Sequence, residues 1–137
     1  VRAGAQEIDF VLNVGMLKER RHHEILADFK DIIDAAGGAT TKVILETCLL
    51  TGDEKRMACD LASTAGVNYV KTSTGFHPAG GASVEAVEIM RAAVPRSIGI
   101  KASGGIRTAE FAAELIAAGA TRLGLSGSRA VLDGFPD

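Results

Sequence analysis

Hydrophobic and polar residues follow one another along this chain in a unit that recurs five times. Each unit starts with a short apolar run rich in β-branched residues, passes through a loop with glycine or polar residues, and continues as an amphipathic stretch. Such runs are typical of strands, and such stretches are typical of helices. The pattern predicts strands at residues 7–14, 42–46, 67–72, 98–102 and 122–125. It predicts helices at residues 17–36, 53–65, 83–94 and 108–118.

Residues at the ends of the predicted helices support this assignment. Thr51 followed by Glu54 fits a capping box, in which two side chains satisfy free N–H groups at a helix start. Gly37, Gly66 and Gly119 stand where the C-terminus of a helix favours a positive φ angle. Strands that alternate with helices predict right-handed βαβ units and a parallel sheet.

Two architectures of the α/β class fit five βα units. One is an open five-stranded sheet, and the other is part of a TIM-type (β/α)8 barrel, which takes about 250 residues. The length of 137 residues favours the open sheet, with residues 1–137 as a single domain. The polar residues favour the barrel, because they lie within predicted strands or at their C-terminal ends, where a barrel has its active site. These residues are Asp9, Asn13, Lys71 and Lys101.

Composition narrows the classes of function. Hydrophobic residues make up 47% of the chain and charged residues 23%, which is ordinary for a soluble globular domain without a membrane span. A net charge of -2 gives no basic surface for nucleic acid, so we expect a cytoplasmic protein that binds neither nucleic acid nor membrane. Cys48 and Cys59 lack a CxxC spacing, and there are three histidines. We therefore expect reduced thiols and no metal site.

Two lysines end consecutive predicted strands. Lys71 stands in "YVKTSTG" and Lys101 in "GIKASGG", about one βαβ unit further along. Neighbouring parallel strands lie about 4.7–4.9 Å apart, so both amines should share one small space. Repulsion there favours the loss of one proton, and a neutral amine can attack a carbonyl to form a Schiff base. For either lysine alone, the alternative is a structural ion pair or a position at the surface.

Two carboxylates are candidate partners for the lysines. Asp9, in "EIDFVLNV", interrupts a run suited to burial, and strand alternation places it on one face with Val11 and Asn13. Asp9 could form a structural salt bridge or take part in proton transfer, and the two roles merge if its partner is Lys101. Glu46 ends "KVILE", and we expect its role to be structural.

The loops after the last two predicted strands indicate a phosphate site. Gly104 and Gly105 lie in "SGGIRTAE", and Gly124 and Ser126 lie in "GLSGS". Backbone N–H groups at a helix N-terminus bind phosphate, and barrels commonly use the loops after the seventh and eighth strands for this purpose. Tight turns also need glycine. Two such loops in succession, both beside the lysines, favour a phosphorylated substrate.

Five motifs together resemble the deoxyribose-phosphate aldolase family of class I aldolases, which are (β/α)8 barrels. In chain order they are "EIDFVLNVGMLK", "TKVILETCLLT", "GVNYVKTSTGF", "IKASGGIRT" and "RLGLSGS". The resemblance implies that Lys71 forms the Schiff base, Lys101 favours its neutral form and assists proton transfer, and Asp9 belongs to an acid–base relay with water. The family's phosphate-binding positions correspond to Gly75, Gly104, Gly105, Gly124 and Ser126.

The implied reaction is reversible cleavage of 2-deoxy-D-ribose 5-phosphate to glyceraldehyde 3-phosphate and acetaldehyde, without a cofactor, in deoxynucleoside catabolism. The resemblance also implies that the five strands are the fourth to eighth of the barrel, that the first three βα units are absent, and that a homo-oligomer or a complementing fragment closes the barrel. Phe76 stands where some members have lysine, and Gly127 where many have a second serine. The alternatives are an inactive half-barrel that keeps the phosphate loops and, less favoured, a transaldolase-like Schiff-base enzyme.

Overall fold

The computed structural model describes residues 1–136, in which five strands alternate with helices. The strands are β1 (Glu7–Val11), β2 (Thr40–Ile44), β3 (Tyr69–Lys71), β4 (Gly99–Ser103) and β5 (Arg122–Gly124). The α-helices are α1 (Val14–Lys18), α2 (His22–Ala36), α3 (Gly52–Ala65), α4 (Val84–Ala93), α5 (Ala109–Ala117) and α6 (Ser128–Leu132). A short 3-10 helix, Thr47–Leu49, lies between β2 and α3.

The five strands form one parallel sheet in the order β1-β2-β3-β4-β5. This order confirms the parallel βα arrangement that the hydrophobic pattern predicts. The register places Lys71 of β3 directly beside Lys101 of β4. Within residues 1–136, β1 and β5 each pair on one side only, so these two strands are the edges of the sheet.

The strands present two different faces, because successive side chains point to opposite sides of a sheet. On the outer face, Val43, Val70 and Ile100 are fully buried and belong to a core that also contains Phe29 of α2 and Met90 of α4. The helices follow one another over this face, with α3 packed between α2 and α4. The inner face carries every charged residue of the five strands. Its members include Glu7, Asp9, Val11, Lys42, Ile44, Tyr69, Lys71, Gly99, Lys101 and Arg122.

Two predictions near the start of the chain are wrong. The first strand ends at Val11, and Asn13 is the N-cap of α1, where its side chain accepts a hydrogen bond from the Met16 N–H at 3.0 Å. Asn13 therefore lies beyond the strand and does not share its inner face. The predicted helix at residues 17–36 is two helices, because Arg20 adopts a left-handed φ of 60° between α1 and α2.

The signals at the other helix ends are confirmed. Thr51 Oγ1 accepts a hydrogen bond from the Glu54 N–H at 3.2 Å, and the Glu54 carboxylate accepts one from the Thr51 N–H at 2.8 Å. This reciprocal pair is a capping box. Gly37, Gly66 and Gly119 have φ angles of 56°, 90° and 119°, so each ends a helix in a conformation that favours glycine.

The lengths of the helices explain which of them the sequence predicts. The pattern of apolar residues misses α6, because its five residues are too few to show a helical period. The longest helix, α2, has 15 residues. None of the helices in residues 1–136 is both long enough and apolar enough to cross a membrane.

Candidate active site

One carboxylate and three lysines meet on the inner face of the sheet. The Asp9 carboxylate accepts hydrogen bonds from Lys71 Nζ at 2.9 Å and from Lys101 Nζ at 3.1 Å, both at Oδ2. Lys42 Nζ donates to Oδ1 at 2.8 Å. The nitrogens of Lys71 and Lys101 therefore face the same oxygen, and their separation cannot exceed the sum of their distances to it. The structure thus brings Asp9, Lys71 and Lys101 together, as the strand pattern indicates.

Lys42 is a member of this cluster that reasoning from the sequence missed. It lies opposite Asp9 in the β1–β2 register, is 2% exposed, and also contacts Glu7 Oε2 at 2.7 Å. Burial works against the charge of Lys42, but its hydrogen bonds to Asp9 and Glu7 outweigh this effect and raise its pKa. Lys42 is therefore a fixed cation. The signal was a lysine within the otherwise uncharged strand TTKVI, which needs a partner when buried.

The charge of Asp9 balances part of the positive charge around it. Burial raises the pKa of a carboxyl group, but the hydrogen bonds from Lys42, Lys71 and Lys101 outweigh burial and hold the pKa of Asp9 well below its usual range. Asp9 is therefore a carboxylate at neutral pH. It binds both Lys71 and Lys101, and its charge offsets the repulsion expected between the two amines.

A second ion pair connects the two edge strands. Arg122 of β5 donates to Glu7 of β1 at 2.7 Å, and its guanidinium lies 4.8 Å from the centre of the Tyr69 ring. The Tyr69 ring fits there because Gly99 has no side chain; a Cβ on Gly99 would lie 2.3 Å from the ring atom Cε1. Strands four places apart in a flat sheet would be separated by about 19 Å, too far for these side chains to meet. The sheet must therefore curve strongly toward its inner face, as the wall of a barrel does.

The loops after β3, β4 and β5 form an open cavity of about 440 Å³ next to the lysines. Phe76, which is 92% exposed, and Arg107 form part of its wall. The two lysines and all five residues that match the family's phosphate positions also line it. These are Lys71, Lys101, Gly75, Gly104, Gly105, Gly124 and Ser126.

Close packing requires glycine at two positions of this wall. Gly104 has a φ of 90°, and a Cβ there would lie 2.9 Å from the Gly81 Cα and 3.3 Å from the Gly75 Cα. A Cβ on Gly124 would lie 2.9 Å from the Ser103 Cβ and 3.4 Å from Lys101 Cε. These glycines therefore let three loops and a lysine approach one another closely.

Cys48 and His77 do not line this cavity. His77 Nδ1 accepts a hydrogen bond from the Ala79 N–H at 3.1 Å and lies 3.8 Å from Cys48 Sγ. Burial, together with the nearby Glu46 carboxylate, raises the pKa of the Cys48 thiol, so it is protonated at neutral pH. Within residues 1–136, no group of three His, Cys, Asp or Glu side chains is placed to hold a metal ion.

Comparison with known sequences identifies the family of this chain. The model of a family described as "DeoC/LacD family aldolase" matches residues 1–134. The chain belongs to this aldolase family. It is 56% identical over 134 residues to the deoxyribose-phosphate aldolase of Corynebacterium diphtheriae, and 54% identical over 137 residues to that of Nocardia farcinica. The matches cover 97% and 99% of this chain but 62% of each relative, so the chain spans about three fifths of their length.

Solved structures of aldolases confirm the fold. The tetrameric deoxyribose phosphate aldolase of Aeropyrum pernix superposes with a TM-score of 0.85 at 33% identity, over 96% of this chain and 56% of its own. An aldolase named QR15 superposes with a TM-score of 0.89 at 37% identity, over 96% of this chain and 59% of its own. The parallel strands and outer helices described above are therefore the α/β fold of these TIM-barrel-type aldolases.

Proposed function

We propose that this member of the DeoC/LacD family contributes the Schiff-base site of a deoxyribose-phosphate aldolase, which cleaves 2-deoxy-D-ribose 5-phosphate reversibly to glyceraldehyde 3-phosphate and acetaldehyde. One observation carries the proposal: Lys71 and Lys101 converge on one oxygen of Asp9 at the wall of a cavity that the glycine loops also line. The curated relatives that match the chain, named deoxyribose-phosphate aldolases, support the choice of substrate.

In the proposed reaction, Lys71 Nζ adds to the aldehyde carbon C1 of the open-chain sugar, and water leaves to give an iminium ion. The C3 hydroxyl then loses its proton, the C2–C3 bond breaks, and glyceraldehyde 3-phosphate departs. The bonding electrons pass to the C1–C2 bond and neutralise the iminium nitrogen, which leaves an enamine. Protonation of C2 and addition of water release acetaldehyde and restore the Lys71 amine.

Lys71 has to be a neutral amine when it attacks, so the site must accept its proton. We assign proton transfer to Lys101 and water, because Asp9 binds both lysines and could link them. The lowered pKa of Asp9 keeps it ionised, so it acts in this relay as a hydrogen-bond acceptor and as a counter-charge for the iminium ion. Lys42 holds Asp9 in place from the opposite side.

The substrate phosphate is proposed to bind at the loops after β3, β4 and β5. The residues assigned to it are Gly75, Gly104, Gly105, Gly124 and Ser126, all of which line the cavity. Exposed backbone N–H groups of glycine loops are suited to phosphate oxygens. Lys71 and Lys101 line the same cavity, so a phosphate held by the loops leaves the rest of the sugar within reach of the amines.

The five βα units are proposed to be the fourth to eighth of a barrel. Among the described residues 1–136, β1 and β5 each lack a strand on one side, which supports this, because a closed barrel would pair both of them with further strands. Those strands could come from more polypeptide of the same protein, from a complementing fragment or from a second copy. A cytoplasmic location and a role in deoxynucleoside catabolism remain predictions from the sequence and its family resemblance.

Reductive trapping tests the proposed chemistry. The chain is incubated with acetaldehyde or 2-deoxyribose 5-phosphate and then with borohydride, and mass spectrometry locates the adduct. We expect the adduct on Lys71 and its loss in Lys71→Leu, whereas Lys30→Leu, which replaces an exposed lysine of α2, should keep it. Lys101→Leu should raise the pH at which trapping occurs. If wild-type chain gives no adduct on Lys71, the remaining explanation is a half-barrel that binds phosphate without turnover.

A further inference from the structure

Glu46, which follows β2, combines two unfavourable features. Its φ is 53°, a left-handed conformation that is unfavourable for a residue other than glycine. Its side chain is a carboxylate in a residue that is only 5% exposed. A buried charge needs hydrogen bonds from its surroundings, and strained backbone persists where other contacts hold it. Both features indicate that the position of this carboxylate matters to the site next to it.

Glu46 forms hydrogen bonds with the loop that follows β3, the strand that carries Lys71. Glu46 Oε2 accepts a hydrogen bond from the Thr74 hydroxyl at 2.7 Å, and Oε1 accepts one from the Thr74 N–H at 3.2 Å. Thr74 Oγ1 accepts a further bond from the Phe76 N–H at 3.2 Å. Gly75 lies between the two residues held in this way, and Thr74, Gly75 and Phe76 all line the cavity.

We propose that Glu46 is a positioning residue for the phosphate end of the substrate, an inference that rests on the proposed function. By fixing both polar groups of Thr74, the carboxylate sets the path of the chain through Gly75 and directs that glycine toward the cavity. A carboxylate suits this task because its two oxygens accept from two donors at once. Glu46 is absent from the wall of the cavity, so it acts through Thr74.

Two variants distinguish the effect of the Glu46 side chain from the effect of its backbone conformation. Glu46→Gly removes the carboxylate and tolerates a φ of 53°, so it adds no backbone strain. Glu46→Gln keeps the shape, with one oxygen that can accept from the Thr74 N–H and an NH2 group that can donate to the Thr74 hydroxyl. If Glu46 positions the loop, the glutamine variant should therefore restore most of what the glycine variant loses.

The test compares two substrates that differ in phosphate, by borohydride trapping over a range of concentrations. We expect Glu46→Gly to raise the half-saturating concentration of 2-deoxyribose 5-phosphate about tenfold, which corresponds to about 1.4 kcal/mol. Trapping of acetaldehyde, which has no phosphate, should change less than about twofold, and Glu46→Gln should stay within about threefold of wild type for both. Equal losses for both substrates, or no loss for the sugar phosphate, would overturn the proposal.

A second measurement does not depend on the chemistry of Lys71. Inorganic phosphate is titrated into the 15N-labelled chain, and the amide signals of Gly75, Gly104 and Gly105 are followed. Weaker phosphate binding in Glu46→Gly than in wild type supports positioning by Glu46 even where no Lys71 adduct forms. Equal binding in both, or no phosphate response in wild type, contradicts it.

Variants of Thr74, the hydrogen-bond partner of Glu46, test the proposal if Glu46→Gly fails to fold. Thr74→Val removes the hydroxyl that donates to Glu46 at 2.7 Å, and Thr74→Ser keeps it. We expect the valine variant to lose affinity for 2-deoxyribose 5-phosphate and for inorganic phosphate but not reactivity with acetaldehyde, and the serine variant to retain all three. A valine variant that binds both phosphates as tightly as wild type would refute the role of this contact.

Discussion

Replacing Asp9 with asparagine tests the charge at the centre of the site. The change keeps the size of the side chain but removes the negative charge that accepts lysine hydrogen bonds at 2.8, 2.9 and 3.1 Å. Each hydrogen bond to a charged group contributes about 1.5–3 kcal/mol. Burial of the carboxylate opposes this gain, solvent screens a side chain that is 27% exposed, and asparagine keeps one acceptor oxygen. We expect Asp9→Asn to lower the free energy of unfolding by about 2 kcal/mol at pH 7.

The stability that Asp9 provides should depend on pH in a defined direction. The pKa of Asp9 is lowered in the folded chain, whereas an unfolded aspartate has a pKa of about 3.9. The unfolded chain therefore binds the proton first as the pH falls. The contribution of Asp9 is complete well above pH 3.9 and is lost below it, by at most about 1.4 kcal/mol per pH unit. The difference between wild type and Asp9→Asn should shrink accordingly.

Urea unfolding followed by circular dichroism at pH 7, 5, 4 and 3 measures this difference. We expect a constant gap between wild type and Asp9→Asn at pH 7 and 5, and a smaller one at pH 3. Asp28→Asn, at an exposed position on α2, serves as the control and should show little effect at any pH. Equal stability of wild type and Asp9→Asn at pH 7, or a gap that does not change down to pH 3, would refute the electrostatic account of the cluster.

Two further predictions concern packing and capping. Gly104→Ala should lower the free energy of unfolding by about 2–3 kcal/mol, because φ is 90° and the new Cβ would lie 2.9 Å from the Gly81 Cα. The control in urea unfolding is Gly127→Ala, where a Cβ meets nothing within 4 Å. Equal effects of the two substitutions would contradict the packing account. Thr51→Ala should lower the free energy of unfolding by about 1 kcal/mol, because it removes the N-cap of α3, and Thr51→Ser should keep the wild-type value in the same assay. An unchanged unfolding midpoint in Thr51→Ala would show that the capping box adds no stability.

Local features of the fold could be predicted because short-range physics decides them. The period of the apolar residues places the strands and the main helices, and the capping box at Thr51 and Glu54 forms as its spacing indicates. The break between α1 and α2 escapes such reasoning. The break occurs at Arg20, which has a left-handed conformation that arginine rarely adopts, so the residue type does not predict it.

The candidate site was only partly predictable. Lys71 ends β3, whereas Lys101 lies in the middle of β4 and not at its end as the sequence pattern predicts. The two lysines are nevertheless register partners, because consecutive strands of a parallel sheet are usually neighbours. Lys42 was missed, because its role depends on facing Asp9 in the β1–β2 register. The contacts between Glu46 and Thr74 were missed for a related reason, since they form between two loops whose paths the sequence does not specify.

The sequence by itself determined the alternation of strands with helices, the two strands that carry the amines, and the family that the motifs indicate. These properties follow from side-chain period, turn chemistry and the order of motifs, which act over a few residues at a time. The tertiary structure alone decided that Asp9 would bind three lysines and that Arg122 would reach Glu7 across the inner face. The partners in these pairs are 33 to 115 residues apart, and they meet only because strand register and sheet curvature bring their side chains together.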